Sequence, residues 1–269
     1  MARMWGRQEA FARAMEKRGV SFSMIEELLL PSNSACADEM AALMRRQHAE
    51  IYDQTKPLVS ESHAAARTIM GDNFLGLEEV ELVFGVRFSK AQRAQLAEIP
   101  FSAELLRECA QTHVLAAGFP TWILHMQQNP KFEHHLNELF FCLQDGPRYE
   151  AYNFVHTLID VRWFLLRKQP IRNTSGRLYD AQVRKIPQGE EVPWAREVVF
   201  VAVAMYMRKH ERLFTRMHVN CRDTYGPHNF RVCVKSYDDR IMNQGITLDS
   251  DFGLGRKSSY RGICSVRYA

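Results

Sequence analysis

The sequence of 269 residues contains no apolar run that could cross a membrane. The longest candidate, 198–207, has ten residues and is bounded by charges, whereas a membrane-spanning helix needs roughly 18 apolar residues. The N-terminus is basic but has no apolar core of signal-peptide length, and its acids Glu9 and Glu16 are atypical of a transit peptide. We therefore expect a cytoplasmic protein with no membrane partner.

The sequence also has few cysteines, and none of them forms a CxxC pair. Secreted scaffolds carry cysteines at higher density, and zinc-binding modules place them in close pairs. Cys109 and His113 are four residues apart, which on a helix would place both near one metal, but no second pair lies close to them. We predict free thiols in a reducing compartment, with no metal and no cofactor. The six cysteines are Cys36, Cys109, Cys142, Cys221, Cys233 and Cys264.

Catalytic signatures are missing as well. The spacing of residues along the chain does not identify a catalytic group of nucleophile, base and acid. Since Ser/His/Asp and Cys/His sites are brought together by the fold, this absence leaves an enzyme open.

The composition is that of a globular protein, with 46% hydrophobic residues, 25% charged residues and a mean hydropathy of −0.31. These values exclude a disordered tail, a collagen-like repeat and a small disulfide scaffold. At about 150 residues per domain, the length predicts one large domain or two small ones.

The net charge of +4 hides a strong asymmetry along the chain. Residues 1–159 carry 15 Lys and Arg against 20 Asp and Glu, whereas residues 160–269 carry 20 against 11. Fifteen of those 20 basic residues are Arg, which binds phosphate and carboxylate in a bidentate manner. The asymmetry indicates either an anionic partner or docking onto the acidic half of the same chain. We predict a helical, mildly acidic region 1–150 and an Arg-rich region 160–269, and leave open whether they share one core.

The first half of the chain has helical periodicity, with Ser89 and Ser102 as expected N-caps and Pro57 expected to kink the third helix. A buried strand is predicted at 113–119. The predicted helices are 3–18, 22–30, 35–70, 77–84, 90–99, a helix that begins at Ser102, 131–142 and 148–158.

The periodicity changes to two from about Val161. The run 161–168 is apolar on both faces and predicts a central strand, followed by a polar loop, 170–189. Pro193 then precedes a helix, 194–214, that is apolar nearly all round. Four further strands are predicted at 217–223, 230–237, 241–248 and 260–268. The fold class is therefore α+β, with a helical N-terminal half and a C-terminal, mostly antiparallel sheet packed on one long apolar helix.

The hairpin formed by the first two of these strands alternates cleanly between an apolar face and a polar face. If the apolar face covers the long helix, the outward face carries Arg222, Arg231 and Lys235 close together. Like charges on neighbouring strands destabilise a sheet unless acids or an anionic ligand neutralise them. This face has no aromatic residues for base stacking, so contact with a nucleic acid backbone is the simpler expectation.

Three functions are consistent with these patterns. The leading hypothesis is a non-enzymatic module that binds nucleic acid, DNA or RNA, or another polyanion through the Arg-rich sheet face. The second is an enzyme acting on an anionic substrate at a cleft between the halves, gripped by Arg167, Arg172 and Arg177 and covered by the 170–189 loop. The third is a subunit of a larger assembly, with a protein partner or further copies of itself.

Short segments between about residues 77 and 215 resemble a group of uncharacterised bacterial proteins. That group has no established activity, so the resemblance implies no function and no residue roles. The segments are Phe84-Gly-Val86-Arg-Phe88, Ile99-Pro-Phe101-Ser102, Thr112-His-Val-Leu115 with Gly118, Trp163 to Pro170, and Glu191-Val-Pro193.

Overall fold

Two four-stranded sheets and a set of helices make up the part of the chain that the computed structural model describes, which is residues 60–135, 152–215, 217–225, 229–239, 243–250 and 261–269. All of these residues belong to the unit Pro57–Ala269. The mixture of helices and separate, mainly antiparallel strands confirms the α+β class.

Three of the helices begin where a serine caps the chain. The hydroxyls of Ser60, Ser89 and Ser102 each accept a hydrogen bond from the backbone N–H three residues later. Both predicted N-caps are thus confirmed. The α-helices in the described residues are α1 (Glu61–Met70), α2 (Leu77–Phe84), α3 (Lys90–Gln95), α4 (Ala103–Cys109), α5 (Ile123–Gln127), α6 (Tyr179–Val183) and α7 (Ala195–Lys209), with 3-10 turns at Gly71–Asn73, Pro130–His135 and Asn153–His156.

Several predicted helices fall partly or wholly outside the described residues. The predictions for 3–18, 22–30 and the kink at Pro57 lie outside them entirely. The described part of the predicted helix 35–70 contains α1. The described parts of the predicted helices 131–142 and 148–158 each contain residues of a short 3-10 turn. The division into regions 1–150 and 160–269 stays a prediction, and the buried core takes residues from both.

The strands fall into two sheets rather than one. Sheet I has the order β1-β2-β3-β8, and sheet II has the order β6-β5-β4-β7. In sheet I the predicted strand β3 lies between β2 and β8, which confirms its central position. The strands are β1 (Phe74–Leu75), β2 (His113–Ala117), β3 (Trp163–Arg167), β4 (His218–Tyr225), β5 (Phe230–Asp239), β6 (Asn243–Ser250), β7 (Arg261–Ile263) and β8 (Val266–Tyr268).

The C-terminal segment connects the two sheets. The sequence predicts a single strand over 260–268, but the strand pairing is interrupted at Cys264 and Ser265. Before the interruption β7 runs parallel to β4 in sheet II, and after it β8 runs antiparallel to β3 in sheet I. Both cysteine and serine are fully buried at this crossing.

Helix α7 lies at the centre of the described fold. Its side chains are buried without interruption from Ala195 to Tyr206, and it contacts β3 of sheet I and both β4 and β5 of sheet II. The helix ends at Lys209 instead of the predicted residue 214. His210 adopts a left-handed conformation, φ 54°, and its N–H donates to the carbonyl of Tyr206 at 2.7 Å, which closes the last turn.

Gly118 offers a direct test of how β2 and the chain before β3 pack. A Cβ atom at this position would lie 2.1 Å from the carbonyl oxygen of Asp160, a backbone atom that cannot move aside cheaply. We expect Gly118→Ala to lower the free energy of unfolding by about 1–3 kcal/mol, measured by urea denaturation. Ser175→Ala, in an exposed loop, is the control. A Gly118→Ala protein as stable as this control would contradict the packing described.

Candidate anion-binding surface

The polar face of the β4–β5 hairpin is covered at its middle. Sequence analysis placed this face outward, but Asn220 and Cys233 are buried beneath α6. The amide of Asn220 donates to the side-chain oxygen of Gln182 at 2.7 Å, and the thiol of Cys233 donates to Asn220 at 2.9 Å. The amide of Gln182 donates in turn to the carbonyls of Arg177 and Arg261. The segment predicted as a loop is therefore a layer over sheet II.

Arg222 and Arg231 both have partners within the protein. Arg222 forms an ion pair with Glu191, and its guanidinium lies 5.1 Å from the centre of the Trp194 ring. Arg231 donates to the carbonyl of Arg222 at 2.6 Å, and its guanidinium lies 4.0 Å from the centre of the Tyr179 ring. The acid that neutralises Arg222 thus comes from the chain just before α7, not from the acidic N-terminal region.

An irregularity in β4 changes the register that the alternation predicts. Asn220 pairs with Cys233 and Thr224 pairs with Arg231, so three residues of β4 lie opposite one residue of β5. Arg222 and Arg231 are therefore not directly opposed. Lys235, the third predicted residue of this face, pairs with Thr247 on β6.

Asp223 on β4 is buried, as are Cys221 and Tyr225 two residues to either side of it. Its carboxylate is buried and accepts a hydrogen bond from the backbone N–H of Ala195 at 2.5 Å, at the start of α7. Burial raises the pKa of Asp223 above its ordinary value, and the hydrogen bond and the guanidinium of Arg196 oppose that effect. The carboxylate acts as a cap for α7 and is not available to a ligand.

Arg167 belongs to a different, largely buried group around Glu190. The carboxylate of Glu190 accepts from the hydroxyl of Ser265 and lies 3.7 Å from the guanidinium nitrogens of both Arg167 and Arg267. Its other close neighbour is Nε2 of His113 at 3.9 Å. Arg167 is thus neutralised inside the protein, separately from Arg172 and Arg177, with which the enzyme hypothesis grouped it.

Burial sets the charge state of the groups around Glu190. It lowers the pKa of His113 to about 4, with the positive charge of Arg167 acting in the same direction and Glu190 opposing both. Burial, together with the charge of Glu190, raises the pKa of the Cys109 thiol. His113 is therefore neutral and Cys109 a protonated thiol at neutral pH. Within the described ranges no three His, Cys, Asp or Glu side chains are grouped as a metal ion would require.

One group of exposed cations lies in the segment that carries α6. We call residues 172–185 the basic segment. Its four basic side chains are all exposed, and it contains a single acid, Asp180. Its cations are Arg172, Arg177, Arg184 and Lys185.

Sequence analysis named two of these four cations and missed the others. Arg184 and Lys185 lie in the segment that the sequence predicts to be a covering loop, which gives no reason to single out its charges. The count of these charges, four bases against one acid, was available from the sequence. Glu190 and Glu191, the acids that neutralise Arg167 and Arg222, were also missed, because their pairing depends on the fold.

Comparison with known proteins gives no further guide to this surface: no family model, curated protein or solved structure matches the chain. In the part of the chain described, no helix combines the length and the apolar character needed to cross a bilayer.

The buried His113 predicts a specific pH dependence of stability. The unfolded chain takes up a proton on this imidazole near pH 6.5, whereas the folded protein does so only near pH 4. The folded state is therefore destabilised relative to the unfolded state as the pH falls through this window, by on the order of 1–3 kcal/mol. Urea unfolding between pH 4.5 and 7.5 measures this loss, and His113→Gln should remove it.

The difference in the free energy of unfolding between wild type and His113→Gln isolates the contribution of His113 from that of groups such as Glu197. The raised pKa of Glu197 favours the folded state as the pH falls, which is the opposite effect. His156→Gln, at an exposed position, is the matched control and should keep the wild-type pH dependence. Parallel curves for wild type and His113→Gln across this window would show that the buried imidazole does not contribute.

Proposed function

We propose that the protein is a non-enzymatic module that binds nucleic acid through phosphate contacts on the basic segment. The observation that carries the proposal is the exposure of all four cations of this segment beside a single acid. Arg and Lys side chains at the surface neutralise backbone phosphates and release their counterions, which favours binding to any polyanion of sufficient charge density.

The difference between the basic segment and the sheet-face arginines supports this location. A phosphate that approaches Arg222 must compete with Glu191, whereas Arg172, Arg184 and Lys185 are exposed and their segment offers only Asp180 as a competitor. A ligand at the basic segment therefore gains charge interactions without breaking a buried or half-buried ion pair.

The basic segment is held in place before any ligand arrives. Gln182 connects it to Asn220 and Arg261 of sheet II, and the N–H of Ile171 donates to the carbonyl of Ile263 at 2.8 Å. The hydroxyl of Thr174 accepts from the N–H of Ile263. A segment anchored in this way loses less conformational entropy on binding than a free loop. Contacts to phosphates carry no sequence information, so we expect binding with little sequence preference.

Replacing Arg172, Arg184 and Lys185 together by alanine tests the location of the site. We expect the triple variant to bind a fluorescein-labelled oligonucleotide at least about tenfold more weakly at low salt, because three phosphate contacts are lost. The slope of log affinity against log salt should fall by about 2 on a single strand. Fluorescence anisotropy between about 50 and 200 mM salt, with DNA and RNA, measures both quantities.

The control removes the same charges from other exposed positions. Arg87, Lys90 and Arg107 are exposed and comprise two arginines and one lysine, like the triple variant. Their replacement by alanine changes the net charge equally and should change affinity little. Equal losses in the two triple variants would assign the binding to net charge and not to the basic segment. Absence of binding by the wild-type protein at 50 mM salt would overturn the proposal itself.

The predicted sheet-face residues need their own test. We expect Arg222→Ala with Arg231→Ala to weaken binding less than the basic-segment triple variant, because both guanidinium groups already have partners in the protein. The same anisotropy measurement compares them, with circular dichroism to verify folding. A loss equal to or larger than that of the triple variant would move the site to the sheet face together with Lys235.

A further inference from the structure

Two large apolar side chains are exposed at the ends of α6, inside the basic segment. Leu178 is 45% exposed and Val183 is 36% exposed. Among the described residues, only two other large hydrophobic side chains are exposed to this degree, Leu82 and Leu158. Half of this small group therefore lies within the six residues 178–183.

Cations lie next to both of these apolar side chains in the sequence. Arg177 precedes Leu178, and Arg184 and Lys185 follow Val183. All three cations are exposed. The exposed surface of this segment thus includes both positive charge and apolar side chains, and a partner that uses all of it must combine negative charge with accessible apolar faces.

A duplex satisfies only the first of these requirements. Its backbone presents phosphates, while the faces of its bases are stacked inside, so Leu178 and Val183 would remain without an apolar partner. A single strand presents phosphates together with unstacked bases, whose faces pack against aromatic or apolar side chains. The ring of Tyr179 is already covered by the guanidinium of Arg231, 4.0 Å away, which leaves Leu178 and Val183 for that contact.

An anionic membrane surface fits less well. Helices that bind in the membrane interface present a long apolar face, and their affinity grows with the apolar area they bury. Helix α6 has five residues and two exposed apolar side chains at its ends. Its apolar area is too small for this mode of binding.

We infer that the basic segment binds single-stranded nucleic acid in preference to duplex, with Leu178 and Val183 packing against unstacked bases while the neighbouring cations contact phosphates. The inference rests on the proposed function, and adds to it the form of nucleic acid and the residues that select it. DNA and RNA single strands share this chemistry, and parallel binding measurements with each distinguish them.

The test replaces Leu178 and Val183 together by serine. This double variant keeps every charge, so the slope of affinity against salt should stay at the wild-type value. Affinity for a 20-nucleotide single strand should fall about 5- to 30-fold, because contacts to bases are lost. Affinity for the matching duplex should not change. Leu82→Ser with Leu158→Ser removes the other exposed hydrophobic pair and should leave both affinities unchanged.

A second probe removes the bases instead of the side chains. A strand that carries abasic sites throughout keeps its phosphates but has no bases. The wild-type protein should bind this strand as weakly as the Leu178/Val183 variant binds the ordinary single strand. Circular dichroism and urea unfolding verify that the variant is folded, and Leu178→Met with Val183→Ile, which keeps apolar side chains, should retain wild-type affinity.

The outcomes separate this inference from the proposed function. Salt-dependent binding that is equal for single strand, duplex and abasic strand would overturn the inference and leave phosphate binding by the basic segment intact. Tighter binding to phosphatidylserine vesicles than to any oligonucleotide would overturn both in favour of a membrane surface. No binding of any oligonucleotide at 50 mM salt would also overturn both.

Discussion

The burial of α7 is the constraint on which the rest of the described structure depends. Its side chains are buried without interruption from Ala195 to Tyr206, so the helix must be covered on every side. Strands of both sheets, together with α2 and α5, supply that cover. A helix that starts inside the protein also needs acceptors for its first N–H groups, since no earlier turn provides them. One long apolar segment therefore dictates both the two-sheet arrangement and the polar groups at its own start.

Those polar groups are carboxylates brought from different elements. The carboxylate of Glu197 accepts from the N–H of Trp194 and from the hydroxyl of Tyr268 on β8, and Asp223 on β4 accepts from the N–H of Ala195. Burial raises the pKa of both acids. Strand β4, which supplies Asp223, and the passage of the C-terminal segment into sheet I, which brings Tyr268 to Glu197, are therefore connected through the start of α7.

Local patterns predicted the elements of this fold better than their assembly. The serine caps at 89 and 102, the central strand β3 and the buried helix α7 follow from residue type and periodicity, and the structure has them. The separation of β7 from β8 and the irregularity opposite Val232 depend on the pairing of segments that are distant in sequence. The ion pair of Arg222 likewise joins distant segments. The sequence therefore predicts that an acid or an anionic ligand lies beside Arg222, but does not identify Glu191.

The position of the basic segment follows from the need to cover sheet II. Asn220 and Cys233 lie on the polar face of the hairpin and are buried, so the layer above them must offer a polar partner, and Gln182 does so from α6. Since the side of α6 that carries Gln182 is committed to the sheet, the charged residues of the same segment are left on the surface. Acids brought close by the fold, Glu190, Glu191 and Glu211, form ion pairs with Arg167, Arg222 and Lys168. Part of the charge excess of the Arg-rich region is thereby neutralised within the fold, while the four cations of the covering layer remain exposed.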